Sequence, residues 1–278
     1  GVSYLCGENV REKKWSLDIC VGRALLTGAF RRDEIVCTKT LYHYVTKNLQ
    51  QPLKSIDLPE RTGRKKRHHR VAREARTDGH SVDDRAPCIM TRTTFRHWGT
   101  DRILGGCGGK EALLAIAESK SRFPCLRKVK DKKSGSIMKA LRSIQEEFGA
   151  SFEELFETIT TDNGTEFSRL PELEEGCNLC IYYAHPYCPS DKGMIENMNR
   201  IIRRFIPKGK RLEDCTENEI IAIQQWLRDL PRKKLGYHTA QECFLNECRK
   251  ASICQSFLPC NLFLQSTEGI NALHILAF

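Results

Sequence analysis

From residue 95 to residue 210 the apolar positions change period several times, and each change marks an element. Short apolar stretches at 97–104, 112–117 and 122–129, separated by turn signals, predict three strands in a meander. Ile137, Leu141, Ile144 and Phe148 then recur at helical spacing, with Ser134 or Ser136 as a start and Gly149 as a stop. Two more short strands are predicted at 158–161 and 181–184. A helix follows over about 190–206, with Ile195, Met198, Ile202 and Phe205 on one stripe and Pro207 beyond its end.

Outside that stretch the pattern is helical. Ser16 caps a predicted helix with Leu17, Val21, Ala24 and Leu25 on one face and Gly28 as its stop. Thr38 caps a second, with Leu41, Tyr44 and Val45 inward. Together they predict a helix-turn-helix region at 1–50. Its second helix turns Lys39, Thr40, His43 and Lys47 toward solvent, where a recognition helix meets DNA. Thr216-Glu217-Asn218-Glu219 has the capping-box pattern and opens a helix with Ile220, Ile223, Trp226, Leu227 and Leu230 inward. The predicted architecture is α/β. A ribonuclease-H-like (integrase-type) catalytic core at 91–210 is preceded by the all-α region and by a linker at 51–90. A helical extension of the core follows at 211–250, and 251–278 has no assignable pattern.

Composition adds a partner. The 278 residues are 40% apolar, enough for a packed core, and carry a net charge of +10. That charge is clustered: R-T-G-R-K-K-R-H-H-R-V-A-R-E-A-R (61–76) holds eight Lys or Arg against one acid, Glu74. Such a run is solvated when alone and contacts phosphates along a nucleic-acid groove, with Arg64, Lys65, Lys66 and Arg67 at its centre. No long apolar run predicts a membrane span, and the first residues lack a secretory pattern. The chain starts at Gly1, which suggests a truncated product or a fragment. Its 14 cysteines read as reduced thiols. Cys177-x2-Cys180-x4-His185-x2-Cys188 has the outline of a zinc knuckle. Because 180–184 reads as a buried strand, packing is preferred there over metal binding.

Three acids supply the candidate chemistry. Asp101 lies in R-H-W-G-T-D-R-I-L-G-G, Asp162 in T-I-T-T-D-N-G-T-E-F-S, and Glu196 in D-K-G-M-I-E-N-M-N-R, with 33 residues between the last two. Taken singly, each has an ordinary reading: a strand acid, a turn at Asn163-Gly164, a solvated helix face. In combination, two acids on predicted strands or strand ends and one on an amphipathic helix can hold two divalent ions about 3.5–4 Å apart for an in-line phosphoryl transfer. Hard cations with oxygen ligands call for carboxylates. Glu196 shares its face with Asn199, Arg200 and Arg203, and Arg203 is placed to meet a DNA phosphate.

At these residues the chain resembles bacterial insertion-sequence transposases of the IS-thirty family, of the DDE class. The resemblance covers roughly 12–245 and includes K-T-L-Y-H-Y-V (39–45), K-S-I-D-L-P (54–59), H-W-x-x-D (97–101), A-E-S-K-S-R-F (117–123), the segments around Asp162 and Glu196, Y-A-H-P-Y (183–187) and L-P-R-K-K-L-G-Y (230–237). It implies a ribonuclease-H-like core with Asp101, Asp162 and Glu196 as catalytic carboxylates and Mg2+ or Mn2+ as the metal, two ions. It also implies a helix-turn-helix that reads the element's terminal inverted repeats, strand cleavage and transfer into target DNA, homo-oligomers on DNA, and a cytoplasmic, nucleoid-associated location in a bacterium. Gly99, Arg102, Ile195 and Arg200 depart from the family's usual residues. They motivate an alternative, a catalytically decayed or truncated sequence-specific DNA-binding protein. A general nuclease of the same fold is a third reading.

Overall fold

The structure, a computed structural model, describes residues 2–49, 53–59, 80–185 and 189–253. The central basic run, with Arg64, Lys65, Lys66 and Arg67, lies outside the described residues, as does 254–278. Two compact units divide the chain: 1–70 with 229–242, and 71–228 with 243–278.

The first unit is helical. It contains α1 (Val2–Glu12), α2 (Leu17–Leu26) and α3 (Thr38–Thr46). Ser16 caps α2 as expected, its Oγ accepting from the Ile19 N–H at 3.3 Å. Cys37, not Thr38, stands at the cap position of α3 and makes no side-chain cap bond. Leu17, Val21, Ala24, Leu41 and Val45 form one core with Cys6 and Val10 of α1, a helix that the periodicity did not flag. A Cβ on Gly22 would meet the Tyr237 ring at 2.2 Å, so only glycine admits that ring against α2. Arg23 and Glu242 then clasp through two hydrogen bonds, at 2.8 and 2.5 Å.

In the second unit six strands form one mixed sheet: β1 (His80–Ser81), β2 (His97–Leu104), β3 (Ala112–Glu118), β4 (Pro124–Val129), β5 (Thr158–Thr161) and β6 (Cys180–Tyr183). Their order is β1-β6-β5-β2-β3-β4. The β2–β3 and β3–β4 pairs are antiparallel, whereas β2–β5, β5–β6 and β6–β1 are parallel. An antiparallel meander extended by parallel strands is the ribonuclease-H-like arrangement; β1 adds an edge. The described helices of this unit are α4 (Pro87–Thr91), α5 (Ser134–Phe148), α6 (Phe152–Leu155), α7 (Pro189–Ile202), α8 (Glu217–Asp229) and the later part of α9 (Ala240–Lys250).

Local chemistry explains the boundaries. Strand β4 starts at Pro124, two residues later than predicted. Buried Glu118 gathers the turn before it, its Oε2 taking both the N–H and the hydroxyl of Ser121 at 2.6 Å. Helix α7 stops at Ile202, not at 206: Arg204 and Phe205 donate to carbonyls only three residues back, a tightening that precedes Pro207. The capping box of α8 forms as expected, with Thr216 and Glu219 exchanging bonds at 2.7 and 3.2 Å. Gln224 of that helix accepts the Leu126 N–H at 2.7 Å and so covers the outer edge of β4.

One face of the sheet buries Trp98 against α5, stacked on Phe156 at 4.1 Å with its indole N–H on the Leu155 carbonyl at 2.7 Å. Alternation then turns Gly99 and Asp101 to the other face, which α7 covers.

Candidate active site

The parallel register pairs Trp98 with Ile159 and Gly99 with Thr160. Continued by two residues, it sets Asp162, just past the end of β5, beside Asp101 of β2. Neighbouring strands lie about 4.8 Å apart, so these two acids belong to one site by backbone geometry.

Helix α7 closes the site from above. It approaches closely because Gly99 lacks a side chain: a Cβ there would lie 3.3 Å from Met194 Cε. Its Lys192 ammonium stands 3.3 Å from Asp101 and 3.2 Å from Asp162, spanning both carboxylates. Two turns later Asn199 donates to the other oxygen of Asp101 at 2.7 Å. Glu196 lies between them on the same stripe, four residues after Lys192 and three before Asn199. The structure thus brings Asp101 and Asp162 together and puts Glu196, exposed, on the helix stripe that faces them.

The acidic loop is anchored on both sides. Asn163 Nδ2 donates to the Ala184 carbonyl at 3.1 Å, tying it to β6. Gly164 lets the Glu166 carboxylate fold back, since a Cβ would meet its Cδ at 2.6 Å. Glu166 then pairs with Arg102 at 2.8 Å. Arg102 follows Asp101 and so points to the opposite face of β2, which gives this departure from the family pattern a local role.

The remaining sequence candidates are placed separately. Arg203 is half-buried, its guanidinium donating to the Leu104 carbonyl at 2.7 Å, and burial lowers its pKa from the ordinary value. In the first unit Lys39 and His43 are exposed on α3 and Lys47 at its C-terminal cap, while Thr40 is half-buried with its hydroxyl 3.1 Å from Cys37 Sγ. Sequence reading missed Lys192, although its four-residue spacing from Glu196 was a signal. It also missed a cavity of about 220 Å³ beside Lys192, lined by Arg85, Arg92, Trp98, Gly99 and Met194. Nothing in the sequence pattern links those positions.

Fold and site together define a ribonuclease-H-like protein with two clustered carboxylates, one within β2 and one just past β5. The chain is 32% identical over 208 residues to the probable transposase of the insertion-like element IS1161 of Streptococcus salivarius, covering 74% of this chain and 58% of that one. It is 30% identical over 240 residues to the transposase of element IS4351 of Bacteroides fragilis, covering 84% and 70%. Against the InsI transposase of element IS30C of Escherichia coli it is 26% identical, covering 83% and 61%. The chain belongs to the IS30 family of insertion-sequence transposases. It spans 58%, 70% and 61% of these relatives' lengths.

No protein-family model matches the chain. Among solved structures, the catalytic core domain of BIV integrase overlaps 57% of this chain and 99% of its own, at 18% identity and a TM-score of 0.43. The strand order, not that overlap, carries the fold assignment. No helix of the described residues is long and apolar enough to cross a membrane.

Proposed function

We propose that this chain is a DNA transposase that binds the terminal inverted repeats of its element, cleaves the donor strand and joins it to target DNA, using Asp101, Asp162 and Glu196 as its catalytic carboxylates. One observation carries the reading. Asp101 of β2 and Asp162 past β5 share a single cation, the Lys192 ammonium, under a helix stripe that also holds the third acid.

The donor set fits two Mg2+ or Mn2+ ions. All three ligands are hard carboxylate oxygens, and one ammonium already pairs with two of them, leaving a net negative charge for a cation. When bound, the ions stabilise charge on the attacking and leaving oxygens of an in-line displacement. The chain's own side chains do the rest. Asn199 fixes the orientation of Asp101. The Arg102–Glu166 pair and Asn163 hold the loop that carries Asp162. Lys192, freed from the carboxylates, turns its charge to a DNA phosphate, and Arg203, just past the end of α7, adds a second cation for the backbone.

On the DNA side, Lys39, Thr40, His43 and Lys47 meet the repeat, and Arg64, Lys65, Lys66 and Arg67 meet its backbone. Two ends are held together by a homo-oligomer of the chain in the bacterial nucleoid. The departures at Gly99 and Arg102 fit active chemistry: one is filled by Met194, the other is an ion-paired side chain on the far face.

The test uses labelled duplexes carrying the element's ends, with chelator and then with Mg2+ or Mn2+ restored. Nicking at the end that vanishes in Asp162→Asn supports the reading. Specific binding without nicking by the folded chain would replace it with the decayed DNA-binding reading, and cutting without preference for the ends with a general nuclease.

A further inference from the structure

Of the outlined zinc knuckle, Cys188 lies outside the described residues, and the other members are engaged elsewhere. Cys177 donates its thiol to the Leu173 carbonyl at 2.6 Å, and His185 sits 2.8 Å from Asp83. Cys180 instead gathers a different set. It opens β6, and its sulfur, an imidazole nitrogen of His80 and a carboxylate oxygen of Glu174 all lie within 4.8 Å of one another.

The backbone makes this juxtaposition. His80 pairs with Tyr182 in the parallel β1–β6 register. Cys180 shares a face with Tyr182, two residues along, so it is the diagonal neighbour of His80 on that face. Glu174 reaches in from the segment before β6, where its Oε1 accepts the Ile181 N–H at 2.6 Å. That bond orients the carboxylate and leaves Oε2 as a ligand, the kind of outer support a metal site uses. The cluster lies where β5 and β6 begin, whereas Asp162 follows the far end of β5. It is therefore separate from the carboxylate site.

We infer that His80, Glu174 and Cys180 form a zinc site with one sulfur, one nitrogen and one oxygen ligand and a fourth position open to water. A thiolate and an imidazole select Zn2+ over Mg2+, which takes oxygen ligands. The site gives β1 what it lacks. A strand of two residues is short of the length that pairs stably unaided, and a metal joining His80 to Cys180 fixes its register on β6. In sequence His80 follows the end of the basic run at Arg76 by four residues, so the ion anchors the chain at the start of the catalytic unit.

Co2+ titration of the full chain tests this, because cobalt bound to thiolate absorbs in the near ultraviolet and gives visible bands when tetrahedral. We expect one thiolate-bound Co2+ per chain with both signatures, displaced by Zn2+ and insensitive to excess Mg2+, which occupies the carboxylate site instead. Cys180→Ser should abolish the thiolate band. His80→Ala and Glu174→Gln should weaken Co2+ binding by about tenfold or more; Gln keeps an acceptor for the Ile181 N–H, so the strand stays folded. The thiolate band should persist unchanged when the exposed Cys107 is replaced (Cys107→Ser) and in Asp162→Asn. Absence of the band in a wild-type chain with native circular dichroism, or its survival in Cys180→Ser, overturns the inference.

Discussion

The Lys192 ammonium lies 3.2 Å from an Asp162 carboxylate oxygen and reaches it from the helix that carries Glu196. It also contacts Asp101, at 3.3 Å, so one cation is shared between an acid of β2 and the acid that follows β5. A divalent ion entering the site must displace it. In Lys192→Met, Mg2+ or Mn2+ binding without DNA should therefore tighten about fivefold, the equivalent of about 1 kcal/mol for a partly exposed pair. Mn2+ titration followed by electron paramagnetic resonance reads this. Unchanged or weaker binding would mean that the ammonium and the metal do not compete.

Arg102 and Glu166 are an ion pair with side-chain exposures of 17% and 11%. Removing either partner leaves a poorly solvated charge, so Arg102→Ala and Glu166→Ala should each cost about 2 kcal/mol. The double variant should cost less than the two singles together. Urea unfolding of all three provides the cycle; additivity would show that the pair does not hold the Asp162 loop.

Acid should weaken the first unit in a defined window. The Arg23 hydrogen bonds hold the Glu242 carboxyl at about 2, below its ordinary 4.5. A folded pKa below the unfolded one contributes stability above about pH 4.5 that is lost as pH falls toward 2. Glu242 is 42% exposed, so solvent screening limits the effect to about 1 kcal/mol. Thermal melts between pH 2 and 6 should display that loss in the wild type and a smaller one in Arg23→Met.

The fold was legible wherever burial imposes a clean period. Strands β2 and β5 fall at 97–104 and 158–161, short and mostly buried on both faces, and α5, buried on one side, ends at Gly149. Asp101, Asp162 and Glu196 were legible as acids set in apolar contexts. What stayed hidden depends on distant pairs. Lys192 is an ordinary helix lysine until the register of β2 with β5 brings two acids beneath it. Arg102 looked like a defect until Glu166 folded back over Gly164 to meet it. Strand β1 has two residues, too short for any period to reveal.

Asn199 offers a further check on the site. Its amide holds Asp101 at 2.7 Å without being a carboxylate ligand itself. Asn199→Ala should lower the rate of end cleavage about tenfold while leaving repeat binding unchanged, and should raise the Mg2+ concentration needed for half-maximal cleavage. Unchanged metal dependence would assign Asn199 a packing role alone.

The most direct measurement of the central proposal compares end-cleavage rates of Asp101→Asn, Asp162→Asn and Glu196→Gln with that of the triple variant, in saturating Mg2+. Groups that act as one unit lose nearly everything at the first removal. Each single variant should therefore fall to the level of the triple variant, with repeat binding intact in all four. Cleavage near the wild-type rate in any single variant would contradict the assignment of that carboxylate, and in Asp162→Asn would contradict the account as a whole.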